Sequence, residues 1–312
     1  MEELDNSIRL KVTGRCNRNC SFCHQEGDMH LINDLHYSNK LANLVNRLNF
    51  ESKFKVIAIT GGEPLLLDDL PDLMSNLYNK TNLKSFSLTT NGTVPQKISY
   101  WKCLIRYGVK KVNISIYDIL DDEYLYPTSI HSIFETQVNN IEMLNELKII
   151  PTINVVVYKD KRKLIDVLNV LFNLDVKIKI ALLPDLTNDK TFKNSNDVIR
   201  EILTFYCFNK INVHFRKGTS NIVNEYKTDD NKILQVKTTK LNGHPKHLRS
   251  ICDDCDIKYR CQEGFYGLRV ENVNEELMIR LCLYKSDSKV LLKPDDFFKS
   301  LVYQEIKNNC LQ

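Results

Sequence analysis

Cys16, Cys20 and Cys23 stand at C-x3-C-x2-C in the stretch GRCNRNCSFCHQEG. Three thiolates at that spacing on one loop can ligate three corners of an iron–sulfur cubane and leave the fourth iron open to a substrate or cofactor. A structural zinc site wants a fourth ligand close by; a zinc loop or three unrelated thiols are the plainer readings. A second set, Cys252, Cys255, Cys261 and Cys282, runs C-x2-C-x5-C-x20-C. By geometry alone it suits zinc or a fully ligated [4Fe–4S] cluster equally. His244 and His247 offer further ligands just upstream, although surface histidines are the ordinary reading of such a pair. Of the ten cysteines, Cys103, Cys207 and Cys310 stand alone, and the apolar neighbours of the first two predict buried thiols.

Other chemistry-bearing residues sit at the ends of β-like runs. Gly61-Gly62-Glu63-Pro64 follows one of them: two glycines permit a sharp turn that exposes backbone groups to a ligand, and Pro64 keeps Glu63 extended. An ordinary strand-to-helix turn is the alternative. Thr89-Thr90-Asn91-Gly92 ends a second run, Ser115 lies near the end of a third and Asn154 within a fourth. Hydroxyls and amides at strand ends can hydrogen-bond a carboxylate or a ribose.

Strands and helices must alternate to hold these residues. The runs IRLKVTG (8–14), FKVIAIT (54–60), KSFSLTT (84–90), KKVNISI (110–116), PTINVVVY (151–158) and VKIKIALL (176–183) are rich in β-branched residues and mostly end at turn formers. Between them Leu41, Leu44, Val45 and Leu48 recur at helical spacing behind an N-cap at Ser38, as do Phe134, Val138, Ile141 and Leu144, and Leu164, Val167, Leu168 and Leu171. The alternation predicts a parallel sheet with right-handed crossovers, as a partial barrel or a doubly wound sheet, with the active site at the carboxyl ends of the strands. Residues 184–196 read as a polar excursion and a helix is expected from Asp197, capped by Ser195 or Asn196. A strand is expected near INVHF (211–215), and residues 217–250 read as a polar surface segment.

The chain has 312 residues, 43% hydrophobic and 26% charged, enough for one large domain with a smaller one appended. A net charge of +4 with dispersed Lys and Arg gives no argument for nucleic acid. No apolar run approaches the ~18 residues of a membrane span, and MEELDNSIRL lacks the features of a signal peptide. The expectation is a cytoplasmic protein, whose clustered cysteines are metal ligands or reactive thiols and not disulfides.

The cysteine triad, with Phe22 before its third member and GGEP some forty residues later, resembles the radical S-adenosylmethionine (AdoMet) superfamily. The resemblance implies an α/β fold, an open six-unit (β/α) partial TIM barrel over residues 1–215, and AdoMet chelated to the open iron of a [4Fe–4S] cluster on Cys16, Cys20 and Cys23. It implies AdoMet contacts from the backbone at Phe22, from Gly61, Gly62 and Glu63 near the amino group, from Thr90, Asn91 and Asn154, from Ser115 at the carboxylate and from Leu183 against the adenine. The context EGFYGLRV…LCLY resembles the auxiliary-cluster segment of the GTP 3′,8-cyclase group and its SPASM/Twitch relatives. That implies a second [4Fe–4S] cluster on the C-terminal cysteines, in a small cysteine-rich domain over residues 216–312.

Against the cyclase pattern, Arg9 and Arg269 match residues that contact GTP or lie near the auxiliary cluster, and Thr89 falls beside the substrate. Ala58 and Thr152 stand where that pattern has Arg and Lys, Cys261 arrives in an insertion, and the end NNCLQ lacks a glycine-rich tail. Triphosphate recognition leans on Arg and Lys, and a fourth cysteine would close the auxiliary iron that binds a purine. The expected substrate is therefore a natural-product precursor peptide or a nucleoside-type small molecule, with an external one-electron reductant of flavodoxin or ferredoxin type. GTP cyclisation, or a non-catalytic iron–sulfur or zinc protein, is the alternative.

Overall fold

The computed structural model describes residues 1–20, 23, 32–116, 130–157, 160–186, 189–241, 244–285 and 287–311; Phe22 lies outside them. Six parallel strands form its centre: β1 (Ser7–Lys11), β2 (Val56–Thr60), β3 (Phe86–Thr90), β4 (Val109–Ser115), β5 (Thr152–Val157) and β6 (Lys179–Pro184), each hydrogen-bonded to the next. They are the six runs expected from the sequence. Alternation along them is clean: Ile8, Leu10, Ile57, Ile59, Val112, Ile114, Ile153 and Val155 are at most 1% exposed and pack under the crossover helices, which leaves the intervening residues on the concave face.

The crossovers are α1 (Asn39–Ser52), α2 (Leu70–Lys80), α3 (Ile98–Arg106), α4 (Ile130–Glu146), α5 (Lys161–Phe172) and α6 (Asp189–Phe205). Ser38 caps α1 as expected, its Oγ accepting from Leu41 N at 3.1 Å. The helix expected from Asp197 instead begins at Asp189. Ser195 is not its cap: 1% exposed inside the helix, it accepts from Asp185 N at 3.1 Å and so fastens the end of β6.

Residues 217–250 also depart from the expected surface segment. After β7 (Asn209–Phe215), β8 (Ile222–Lys227) and β9 (Ile233–Thr238) form an antiparallel hairpin whose turn places Asn231 at φ 69°. Leu234 and Val236 are buried, and β9 runs parallel to β6. Alternating apolar residues on β9 complete the sheet, which a count of polar residues conceals.

At the opposite edge β10 (Arg269–Val273) runs parallel to β1, followed by β11 (Glu276–Arg280) and β12 (Leu291–Leu292). Both edges of the six-stranded array are therefore covered by segments beyond residue 215. Buried Glu271 on β10 lies 3.2 Å from the Lys11 ammonium of β1 and 2.7 Å from Arg280 Nη2 of β11. The helices α7 (Arg249–Cys252), α8 (Pro294–Lys299) and α9 (Leu301–Leu311) close the C-terminal end. Among the described residues no helix is long and apolar enough to cross a membrane.

Candidate active site

The cysteine loop leaves β1 at its carboxyl end and is held by the loops that leave β2 and β3. Gly62 N donates to Thr13 O at 2.8 Å and Glu63 N to Arg15 O at 2.7 Å. The glycines are there for close approach: a Cβ on Gly62 would lie 2.1 Å from Arg15 O, and one on Gly61 would lie 2.6 Å from Thr13 O. Two of the backbone N–H groups expected to face a ligand are thus spent on the cysteine loop. From the other side Arg15 reaches Asp34 and Leu66 O, each at 2.9 Å.

Glu63 is fully buried. Its Oε1 accepts from Leu65 N at 2.9 Å and Thr90 Oγ1 at 2.6 Å, and its Oε2 accepts from Asn91 N at 2.6 Å. Pro64 follows, and Glu63 is extended at φ −123°, ψ 107°. Burial pushes its carboxyl above the usual range, although the three donors oppose the shift.

The link from TTNG to the cysteines is a ring of three side chains. Asn91 Nδ2 donates to Asn17 Oδ1 at 2.8 Å, Asn17 Nδ2 to Thr93 Oγ1 at 2.9 Å, and Thr93 Oγ1 to Asn91 Oδ1 at 2.7 Å. Asn17 directly follows Cys16, whose thiol burial pushes up while Glu63 and Cys23 add to the rise. Cys23 is exposed, and its N–H donates to Cys20 O at 3.0 Å.

Ser115 is 4% exposed at the end of β4, opposite Asn154 of β5 in the register. Thr89 accepts from Asn113 Nδ2 at 3.2 Å on the concave face, and half-buried Leu183 stands at the end of β6. Arg269 is different: it is 1% exposed, with Nη2 3.6 Å from Glu263 Oε1 and Nη1 donating to Gly267 O at 3.5 Å. Its guanidinium is turned into the fold.

The C-terminal cysteines also converge. Cys252, Cys255, Cys261 and Cys282 line one cavity of about 460 Å³, its open mouth included, with apolar Ile251, Phe265, Leu281 and Val290 around them. Gly264 N donates to Cys261 Sγ at 3.3 Å and Tyr284 N to Cys282 Sγ at 3.4 Å. Burial pushes the Cys252 thiol up to about 11, and the other three cysteines of the set add to the shift. Among the described residues no three His, Cys, Asp or Glu are gathered tightly enough to hold a single metal ion. Four cysteines on one cavity wall can hold a zinc ion or an iron–sulfur cubane. Four thiols, N–H donors to sulfur and an apolar lining fit an iron–sulfur cluster. His247 lines the same cavity, and the side chain of His244 lies outside the described residues. Of the lone cysteines, Cys103 is half-buried; Cys207 is exposed, at φ 54° in the turn that ends α6, and not buried as expected.

Sequence reasoning missed Gln137 and Asn140, buried on the core face of α4. Gln137 Nε2 donates to Asn91 O at 2.7 Å and to Ser115 O at 3.2 Å, while Asn140 Nδ2 donates to Gly92 O at 3.0 Å. The available signal was two polar residues interrupting an apolar helical stripe. Lys237 was missed as well: it reaches from β9 to donate from Nζ to Asn154 Oδ1 at 2.6 Å.

A parallel six-stranded array with cysteine, GGEP and TTNG loops interlocked at its carboxyl end is the arrangement that the motif resemblance implies for an AdoMet-dependent radical enzyme. The Radical SAM superfamily model matches residues 10–171, and the chain belongs to that superfamily, whose enzymes use a [4Fe–4S] cluster and AdoMet. Among curated relatives, the GTP 3′,8-cyclase of Clostridium perfringens is 24% identical over 95% of this chain and 96% of its own length. A probable GTP 3′,8-cyclase of Methanococcus aeolicus is 38% identical over 39% of this chain and 42% of its own. Among solved structures, native anSMEcpe with bound AdoMet superposes with a TM-score of 0.60 at 16% identity, covering 97% of this chain and 80% of that one, a likeness of fold.

Proposed function

We propose that the chain is a cytoplasmic radical AdoMet enzyme that abstracts hydrogen from a substrate other than GTP, a nucleoside-type small molecule or a precursor peptide. The observation that carries this reading is the interlock of the loop bearing Cys16 with Gly62, Glu63 and Asn91. It fixes a cluster-bearing loop beside strand-end polar groups. Cys16, Cys20 and Cys23 would hold the first [4Fe–4S] cluster, which, with an external flavodoxin- or ferredoxin-type donor, would supply the electron for reductive cleavage of AdoMet. Ser115 would receive the AdoMet carboxylate, Leu183 and the backbone at Phe22 the adenine, and Glu63 would hold the β2 and β3 loops in register under it. Thr89 and Arg9 would contact the substrate. Cys252, Cys255, Cys261 and Cys282 would hold an auxiliary cluster, and the cavity wall they share supports full ligation.

Protein reconstituted anaerobically should carry ~8 iron atoms, two cubanes, and form 5′-deoxyadenosine from AdoMet under dithionite. Replacing Cys16, Cys20 and Cys23 with Ala should abolish that product and remove about half the iron. Zinc in the C-terminal site, or intact protein that leaves AdoMet uncleaved, would sink the reading. The whole-length likeness to a GTP 3′,8-cyclase supports GTP cyclisation as the second reading. An 8-cyclised product from GTP would put it first.

A further inference from the structure

The loop that carries Cys252, Cys255 and Cys261 is a relay of turns, each starting where the last one closes. Cys252 N donates to Leu248 O at 2.8 Å, Cys255 N to Cys252 O at 3.1 Å, Lys258 N to Cys255 O at 3.0 Å and Cys261 N to Lys258 O at 3.3 Å. The placement of its first turn, α7, therefore passes to three of the four cysteines. That turn has no cap of its own. Its first N–H groups need acceptors from outside the helix, and the residue before it, Leu248, is fully buried and has no side-chain oxygen to offer.

The acceptor comes from the C-terminal helix, 56 residues on from Arg249. Glu305 Oε1 accepts from Arg249 N at 2.7 Å, and its Oε2 accepts from Ser250 N at 2.9 Å and Ser250 Oγ at 2.7 Å. Both oxygens are thus committed to α7. Burial would raise the carboxyl, but the Ser250 and Arg249 donors and the Lys246 ammonium outweigh it and hold the group below its usual range, so the bonds are charge-assisted. Other ties of the loop are ion pairs open to solvent, Lys258 with Asp253 at 2.6 Å and Lys289 with Asp254 at 3.9 Å, a kind worth little in water. Glu305 itself stands on a fixed support. Val302 and Ile306 of α9 are buried in the core, Tyr303 Oη donates to Glu51 Oε2 of α1 at 2.6 Å, and the Arg47 guanidinium lies 3.6 Å from the centre of the Phe298 ring.

We infer that Glu305 is a positioning residue for the C-terminal metal centre: from α9 it fixes the first turn of α7 and so presents Cys252, Cys255 and Cys261 to the cavity they share with Cys282. This rests on the proposed auxiliary cluster at these cysteines and names the residue outside the ligand set on which its retention depends. A single turn is far below the length at which a helix holds by itself in water, so without the carboxylate α7 has little to keep its geometry. Cys282 follows β11, which the sheet holds. The error would therefore open between that cysteine and the other three, and a rigid cluster cannot follow it. Supports behind the ligands commonly decide how tightly a metal centre is kept.

The test uses the reconstituted full-length chain with Cys16, Cys20 and Cys23 replaced by Ala, so that metal is read at the C-terminal site alone. Its readouts are iron content, the EPR spectrum of the reduced cluster and the rate of metal loss to a chelator. Adding Glu305→Ala should speed that loss about tenfold and change the spectrum. Glu305→Gln, close in shape and keeping one accepting oxygen, should lose metal at an intermediate rate and keeps the test decisive if the alanine variant fails to fold. Tyr303→Phe removes the bond from α9 to Glu51; it should lower the melting temperature and leave metal loss and spectrum unchanged, which separates presenting ligands from holding the fold together. Unchanged loss and spectrum in the Glu305 variants, or equal acceleration by Tyr303→Phe, overturns the inference. Zinc in the site would defeat the auxiliary-cluster reading alone, and release of that zinc at one rate with and without Glu305 would defeat this one. A parent chain that takes up no metal overturns both.

Discussion

Glu63 shows how one side chain organises a site without facing it. A carboxylate that is fully buried and accepts three hydrogen bonds ties β3 to the GGEP turn. In Glu63→Gln one oxygen becomes an amide that cannot accept, leaving a buried donor against Thr90 or Asn91. The expected cost is ~1–3 kcal/mol of stability, read as a lower denaturation midpoint, with weaker AdoMet binding as the loops part. Lys237 makes a pH prediction. Its folded value of about 7 lies below the unfolded 10.5, so between those limits the unfolded chain binds the extra proton and stability rises with pH. Asn154 from β5, Lys111 from β4, Arg9 from β1 and Arg216 from the β7–β8 turn face it. Ligand-free wild type should therefore gain more stability from pH 6.5 to 8.5 than Lys237→Met does, as followed by urea melts; equal gains would refute the assignment. Glu63 was legible from its motif, whereas Lys237 was not. A lysine in a polar stretch looks solvated until the pairing of β9 with β6 turns it into the barrel.

At the scale of elements, the six strands and Ser38 at the start of α1 were readable because β-branched runs and a cap residue act locally. The start of α6 was not readable, since its first turns are polar and are held by the bond from Asp185 N to Ser195 inside the helix. Loops obey a contact rule instead. Gly62 approaches Arg15 so closely that any side chain collides with backbone and not with a flexible tip. Gly62→Ala should push the β2 loop off the cysteine loop, at ~1–3 kcal/mol for overpacking. The first cluster alone should be lost: iron analysis should find about half the wild-type content, with no 5′-deoxyadenosine formed. Full iron content with normal cleavage would show that the interlock is dispensable.

Across the whole molecule, the sheet leaves little room for an independent barrel. Two parallel pairings, β9 on β6 and β10 on β1, come from beyond residue 215, and local sequence cannot say which edge a distant strand will join. Removing residues 216–312 would bare both edges of the six-stranded array. It would also take away Glu271, the carboxylate 3.2 Å from the fully buried Lys11 ammonium. Breaking a buried ion pair costs ~3–5 kcal/mol, a large share of the ~5–15 kcal/mol by which a domain is stable. A fragment of residues 1–215 should therefore be aggregated or lack a cooperative melt by size exclusion and circular dichroism. Full-length Glu271→Gln, which keeps both edges covered, should stay monodisperse and melt cooperatively at a lower temperature. A soluble fragment with a sharp transition would instead make the C-terminal segment an accessory to a self-sufficient barrel, and the burial of Lys11 would then need a counter-charge from within residues 1–215.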